Sequence, residues 1–244
     1  LRFEDLLLCL VMAALILLPI VEIVSRIFGV QGISASTSLV QHLTLTIGML
    51  GGAIAAREER LLSLSSLSTF LGESLRQPIL IFSKATATTV CLLLFEASRD
   101  FLLTEKNGGN LLAYGIPIWL GLTVIPAGFL LISIRLIWTS ANEWKLRAAT
   151  ILISACFLWI IGSDWISPQL WFFPLLFLLL AATFLGAPIF AVFGGITLLL
   201  LWQGNLPVAM IPLKHYSMVT SPTLSSVPLF ALAGYFLAEG GASK

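Results

Sequence analysis

The chain reads as a series of apolar runs separated by short polar stretches. A helix crossing roughly 30 Å of hydrocarbon needs about 20 mostly apolar residues. Runs of that order, bounded by charge, Pro or Gly, predict helices over Leu6 to Phe28, Leu39 to Ala56, Ile79 to Leu103 and Ile116 to Trp138. Three more follow in denser succession: Ala148 to Ile161, Leu170 to Leu185 and Pro188 to Trp202, the first of them short for a full crossing. A last run, Val227 to Ala238, is too short to cross alone. The pattern predicts an all-α integral membrane protein, a polytopic helical bundle of seven or eight spans.

Composition agrees and excludes the soluble alternative. Hydrophobic residues make up 58% of the 244 and charged residues 10%, too few to dress the surface of a soluble fold of this length. The net charge of +1 offers nothing to nucleic acid. Cys9, Cys91 and Cys156 are far apart and each lies in an apolar run, so they read as small lipid- or core-facing side chains. The opening Leu1-Arg2-Phe3-Glu4-Asp5 carries no basic start or cleavage site of a signal peptide, and the chain is expected to begin inside a longer protein.

Placement of charge divides the chain and orients it. The first four runs are separated by ordinarily charged loops, whereas Ser167 to Met210 holds no Lys, Arg, Asp or Glu. Three parts are expected: residues 1–138, a four-helix module; 139–168, a linker with a fifth helix; and 169–244, the start of a second module. Lys and Arg concentrate on the cytoplasmic side of membrane proteins. With the N-terminus inside, Arg2, Arg57, Arg60, Arg76, Lys84, Arg135, Lys145, Arg147 and Lys244 fall inside, against Arg26, Arg99, Lys106 and Lys214 outside. If the fifth run lay flat on the membrane, everything after it would invert.

Ionisable groups within spans are costly and few. Glu22 and Arg26, at i and i+4, form a self-satisfied structural pair. Glu96, Arg99 and Asp100 cluster at i, i+3 and i+4 near the outer end of the third span, either as interfacial charges or as a docking point for a soluble partner. Gly48 and Gly52, extended by Ala56, make a G-x-x-x-G stripe suited to close helix approach, within the chain or against another subunit. Trp119, Trp138, Trp144, Trp159, Trp165 and Trp171 are candidates for an interfacial belt. His42, beside Gln41, and His215, in a loop beside Lys214, have no ligand neighbours; phosphate-cradling, metalloprotease and nucleophile-elbow motifs are absent. No catalytic residue, metal site or cofactor is expected. In the tail, Ser221 to Pro228 places helix breakers and hydroxyls before a short apolar run, as an ordinary loop or as an interrupted helix of the kind that builds transporter sites.

Four segments resemble the tripartite ATP-independent periplasmic (TRAP) transporters in their fused form. SSVPLFALAGYFLAEGGASK, Ser225 to Lys244, and FLGAPIFAVFGGITLLL, Phe184 to Leu200, are similar to the opening of the family's large subunit, the latter with a Gly-x-Pro break between two spans. AAREERLLSLSSL, Ala55 to Leu67, and GIPIWLGLTVIPAGFLLISIRLI, Gly115 to Ile137, are similar to the small subunit. Gln41 or His42 stands where the family commonly has an acid, and Leu61 where it often has His. The resemblance implies the N-terminal part of an elevator-type, sodium-driven secondary transporter in the bacterial inner membrane. It would import an organic acid, such as a dicarboxylate, handed over by a periplasmic solute-binding protein. The small module, with Glu22, Arg26, Gly48, Gly52, Ala56 and Arg57 as structural or interface residues, would act as scaffold for the rest of the large permease subunit. Substrate and sodium would be held mostly beyond Lys244, with Ser225, Ser226 and Pro228 the candidates within this chain; sodium is the coupling ion and no cofactor is implied. Two other readings stand beside it: a membrane scaffold without transport of its own, and an intramembrane enzyme using His215, Asp164, Ser225 or Ser226.

Overall fold

The computed structural model describes residues 3–29, 36–63, 73–112, 114–163, 167–221, 230 and 233–239. Among these, nine helices follow one another: α1 (Phe3–Ile27), α2 (Ser36–Arg57), α3 (Glu73–Gly108), α4 (Ile118–Leu122), α5 (Val124–Trp138), α6 (Trp144–Ile161), α7 (Pro168–Phe184), α8 (Ile189–Gln203) and α9 (Met210–Val219). Residues 233–239 are also helical, within the expected last run. Among the described residues, five segments are long and apolar enough to cross a bilayer: α1, α2, α3, the α4–α5 pair and α6. The α7 and α8 helices, at 17 and 15 residues, are apolar but shorter.

Local chemistry explains the helix boundaries. The fourth span breaks at Thr123 because Pro126 has no N–H to offer the Leu122 carbonyl. Thr123 closes the gap, bonding back through its N–H to Trp119 and its hydroxyl to Leu120. Between α7 and α8, Gly186 adopts φ +101°, a conformation that strains any residue with a Cβ, and Pro188 then opens the next helix. The third span exceeds its expected bounds at both ends, reaching 36 residues, or about 54 Å at 1.5 Å per residue. The fifth helix gains the Trp144-Lys145-Leu146-Arg147 turn, which the polar character of those residues disguised. His215 lies on α9 and not in a loop: Pro212 sits in its first turn, where a missing N–H is harmless.

The bundle is organised around α3. Small residues dominate its buried face, among them Ser83, Ala85, Ala87, Cys91, Ala97 and Ser98. Thr86, Thr88, Thr89 and Ser98 turn their hydroxyls onto carbonyls four residues back, so this face approaches its neighbours with no polar group unsatisfied. One apolar core runs through α2, α3, α5, α7 and α8, from Ala53 and Ala56 through Val90 and Ile132 to Leu179, Ala191 and Leu198. The core therefore continues across residues 139–168. By contrast, α1 packs on α2 and buries none of its residues.

Hydrogen bonds outside the helices fix the chain's path. Thr139, just after α5, accepts from Lys84, and Leu185, just after α7, accepts from Ser83 at 3.1 Å. Ile189 donates to the Leu62 carbonyl at 2.8 Å. The end of α5 and the α7–α8 turn thus lie at one end of the bundle, the end that also holds Arg57. Because α7 runs back from the opposite end, the segment carrying α6 must take the chain across. A flat fifth helix does not fit this path.

Within the chain, the closest approaches do not fall on the G-x-x-x-G stripe. A Cβ on Gly48 would meet nothing within 4 Å, and one on Gly52 would make ordinary contact with Ile132 at 3.5 Å. Only Ala56 of the expected stripe is buried, together with Leu45, Met49 and Ala53 on the adjacent line of α2. Closer contact comes from α5, where a Cβ on Gly128 would lie 2.4 Å from Met49 Cε and 2.9 Å from its Cβ. Gly128→Leu should therefore lower stability by about 1–3 kcal/mol through overpacking. Gly48→Leu should leave the thermal midpoint in detergent unchanged, and comparing the two variants checks the assignment.

Candidate functional site

Helix polarity prepares a charged cluster at the Arg57 end. Glu4 and Asp5 occupy the first turn of α1, while Arg57 and Arg135 occupy the last turns of α2 and α5. Each sign is favoured at its own helix terminus by the macrodipole, and the alternating helix directions bring these termini together. Arg57, whose side chain is only 11% exposed, donates to Glu4 Oε2 at 3.1 Å, Asp5 Oδ1 at 2.6 Å and Glu58 Oε1 at 2.9 Å. Arg135 donates to the other oxygen of Glu4. A single carboxylate thus ties α1 to both α2 and α5.

Lys84 forms a second knot one helix away. Its Nζ donates to Glu59 Oε1 at 2.6 Å, to the Thr139 carbonyl at 2.5 Å and to Thr139 Oγ1 at 2.8 Å, using its full set of three donors. Glu59 stands at φ +54° in the turn after α2, which aims its carboxylate at α3. Together these groups join α1, α2, α3 and α5 at one end. Arg135 Nε is buried without a hydrogen-bond partner among the described residues, but the other buried donors of the cluster are paired, which leaves little for a solute; its chemistry is that of a clamp.

A smaller polar contact ties the opposite end. Gln41 donates from Nε2 to the Thr220 carbonyl, just after α9, at 2.7 Å. The buried His42 has Nδ1 2.8 Å from the Ser38 carbonyl, which can only accept, so that nitrogen is the donor. Tyr216 on α9 brings its hydroxyl 3.5 Å from Nε2, at the long limit of a hydrogen bond. Burial, with the Glu105 carboxylate adding to it, pushes the Tyr216 hydroxyl above its ordinary pKa and keeps its proton in place. Gly121 admits the imidazole: a Cβ there would lie 2.3 Å from His42 Cδ2.

The other expected site residues separate into three groups. Glu22 and Arg26 pair at 2.6 Å along α1, and Glu96 pairs with Arg99 at 3.0 Å on an exposed face of α3. Asp100 is exposed beside them and makes no ion pair among the described residues. Ser225, Ser226, Pro228 and Asp164 lie outside the described residues, and His215 is exposed on α9. Among the described residues no three His, Cys, Asp or Glu side chains group as metal ligands. Sequence reasoning singled out Arg57 but missed Glu4, Asp5, Lys84 and Arg135 as its company. The available signal was the alternation of spans, which puts the start of the first and the ends of the second and fourth on one side.

Several apolar helices crossing in alternation, with charges spent on tying their ends, define a multi-pass helical membrane protein. Residues 15–146 match the family model of the tripartite ATP-independent periplasmic transporters, DctQ component, and with more than half its length matched the chain belongs to that family. It is thus a membrane component of a TRAP transporter, and the family is one of transporter components rather than of enzymes. Such components work with a large subunit and a periplasmic binding protein. No curated protein matches the chain.

Two variants test the geometry. Lys84→Met should cost roughly 1–3 kcal/mol as three charge-assisted bonds are lost, and adding Glu59→Gln should cost little more because the pair shares one interaction; a double-mutant cycle of detergent melts reads this. Gly121→Val should displace His42 and free α9, seen as faster hydrogen exchange in residues 210–220 while α5 remains protected.

Proposed function

We propose that this chain is the static wall of a sodium-driven importer of an organic acid, in which a small TRAP component continues directly into the opening of the large one. The observation that carries the reading is the shared core. A Cβ on Gly194 of α8 would lie 3.0 Å from Leu94 of α3, and one on Gly195 would lie 2.9 Å from Leu179 and 3.2 Å from Val90. Helices in such intimate contact move together, so α7 and α8 belong with the family-matched helices as one body. An elevator needs a surface that stays put while the substrate-bearing part slides, and this body meets that need.

In this reading the chain crosses seven times before α9, with the Arg57 end cytoplasmic. The concentration of Arg57, Arg60, Lys84, Arg135, Lys145 and Arg147 at that end supports the orientation. The latch of Gln41 and His42 to α9 marks the last fixed point. Ser225, Ser226 and Pro228 are this chain's candidates for contact with substrate or sodium. The exposed Glu96, Arg99 and Asp100 offer a polar surface to the periplasmic binding protein.

Uptake by the full-length gene product, reconstituted in liposomes with its binding protein, tests this directly. Accumulation of a radiolabelled carboxylate should require both the binding protein and an inward sodium gradient. Absence of uptake across a broad carboxylate panel, with folded protein demonstrated, would favour a scaffold without transport.

A further inference from the structure

A partly open cavity of about 140 Å³ lies between α3, α6, α7 and α8. Thr86 and Thr89 on α3 are its only hydroxyl-bearing lining residues, and each already donates to its own helix, to Phe82 O at 3.0 Å and Ala85 O at 2.9 Å. Phe157 and Ile161 form one wall, Leu178 and Leu199 the other. A bound water needs two to four polar partners; here the threonine protons are already committed and the rest of the lining, apart from the Trp202 indole, is hydrocarbon. An engineered apolar cavity of about the same size stays dry and takes up hydrocarbon.

The way in is set by how the helices pack. α6 packs on α3 and α5, while α7 and α8 pack on each other and on α3, leaving a gap between α6 and α7. The residues on the two sides of that gap, Ile160 and Ile161 on α6 and Leu175 and Leu178 on α7, are apolar and only half-buried. In a membrane such faces meet hydrocarbon, so the gap opens to lipid. A helix, about 10–12 Å across, is too wide for the space, whereas a single acyl chain is not. Trp202 lines the cavity at the end of α8, followed by Gln203, Gly204 and Asn205. That is the sequence of an interfacial boundary, apolar body below and polar groups above.

We propose that this cavity is a binding site for one acyl tail of a glycerophospholipid. The tail enters between α6 and α7 and its headgroup stays near Trp202. The bound tail supplies the packing that side chains do not provide between α6 and the α7–α8 hairpin. The inference stands on the cavity and its surroundings and does not rest on the transport reading.

Photolabelling tests it. The full-length protein in nanodiscs containing phosphatidylethanolamine with a mid-chain diazirine is irradiated and the adducts are mapped by mass spectrometry. Adducts are expected on the cavity floor, at Thr89 and Leu93, as well as on lipid-facing positions of α1 such as Leu10 and Ile16. Filling the floor with Thr89→Leu, or closing the mouth with Leu178→Trp, should abolish the floor adducts and leave those on α1, which also report that the variant is folded. Adducts confined to exposed faces in the wild-type protein, with Thr89 and Leu93 unlabelled, would overturn the proposal. So would floor adducts that persist in both filled variants.

Discussion

A charge near the hydrocarbon must be paired within the protein, and the architecture depends on how this chain satisfies that requirement. Glu4 accepts from both Arg57 and Arg135, and so links three helices through one carboxylate. Lys84 does the same for the turn after α2 and the end of α5. Removing Glu4 would leave Arg135, only 18% exposed, without a carboxylate partner among the described residues, which costs more than an exposed pair contributes. Position and register of the first four spans are therefore specified at one end by electrostatics, while apolar packing, which is nearly indifferent to small shifts in lipid, fills the space between.

On that frame the rest of the chain is added by fit. The hydroxyl-rich, small-residue face of α3 accepts α5 on one side and α8 on another, and Gly128, Gly194 and Gly195 permit approaches that a larger residue would prevent. The Leu62 to Ile189 and Ser83 to Leu185 bonds then fasten the α7–α8 turn to the same end as the charge clamp. At the other end, the polar contact of Gln41 and His42 with α9 holds the last described helix before Ser221-Pro222. The parts that meet the DctQ family and those that follow are fastened at several levels, by charge, by close packing and by polar latch.

Much of this architecture was legible in the sequence because hydropathy over a long window is set by the bilayer itself. The first four spans and the Gly-x-Pro break emerged close to their expected places. What failed did so for identifiable reasons. Pro212, Lys214 and His215 lower the hydropathy of α9 without preventing a helix, so it passed for a loop. The spacing of Gly48 and Gly52 left open whether the chain or another subunit covers that face; within the chain the buried line is Leu45, Met49, Ala53 and Ala56, one step around α2. Glu4 finds its partners 53 and 131 residues away, a pairing that local spacing cannot express. The Glu22 and Arg26 pair, four residues apart, was legible for the opposite reason.

The central claim is that residues before and after the 139–168 segment form one rigid body. Hydrogen exchange of the full-length protein in nanodiscs, read by mass spectrometry with peptide resolution, measures this most directly, because a cooperative unit opens with a common free energy. The account predicts that α3, α5 and α8 share the slowest exchange and lose protection together when Lys84 is replaced by Met. Independent, faster exchange of α7 and α8, untouched by that replacement, would contradict it.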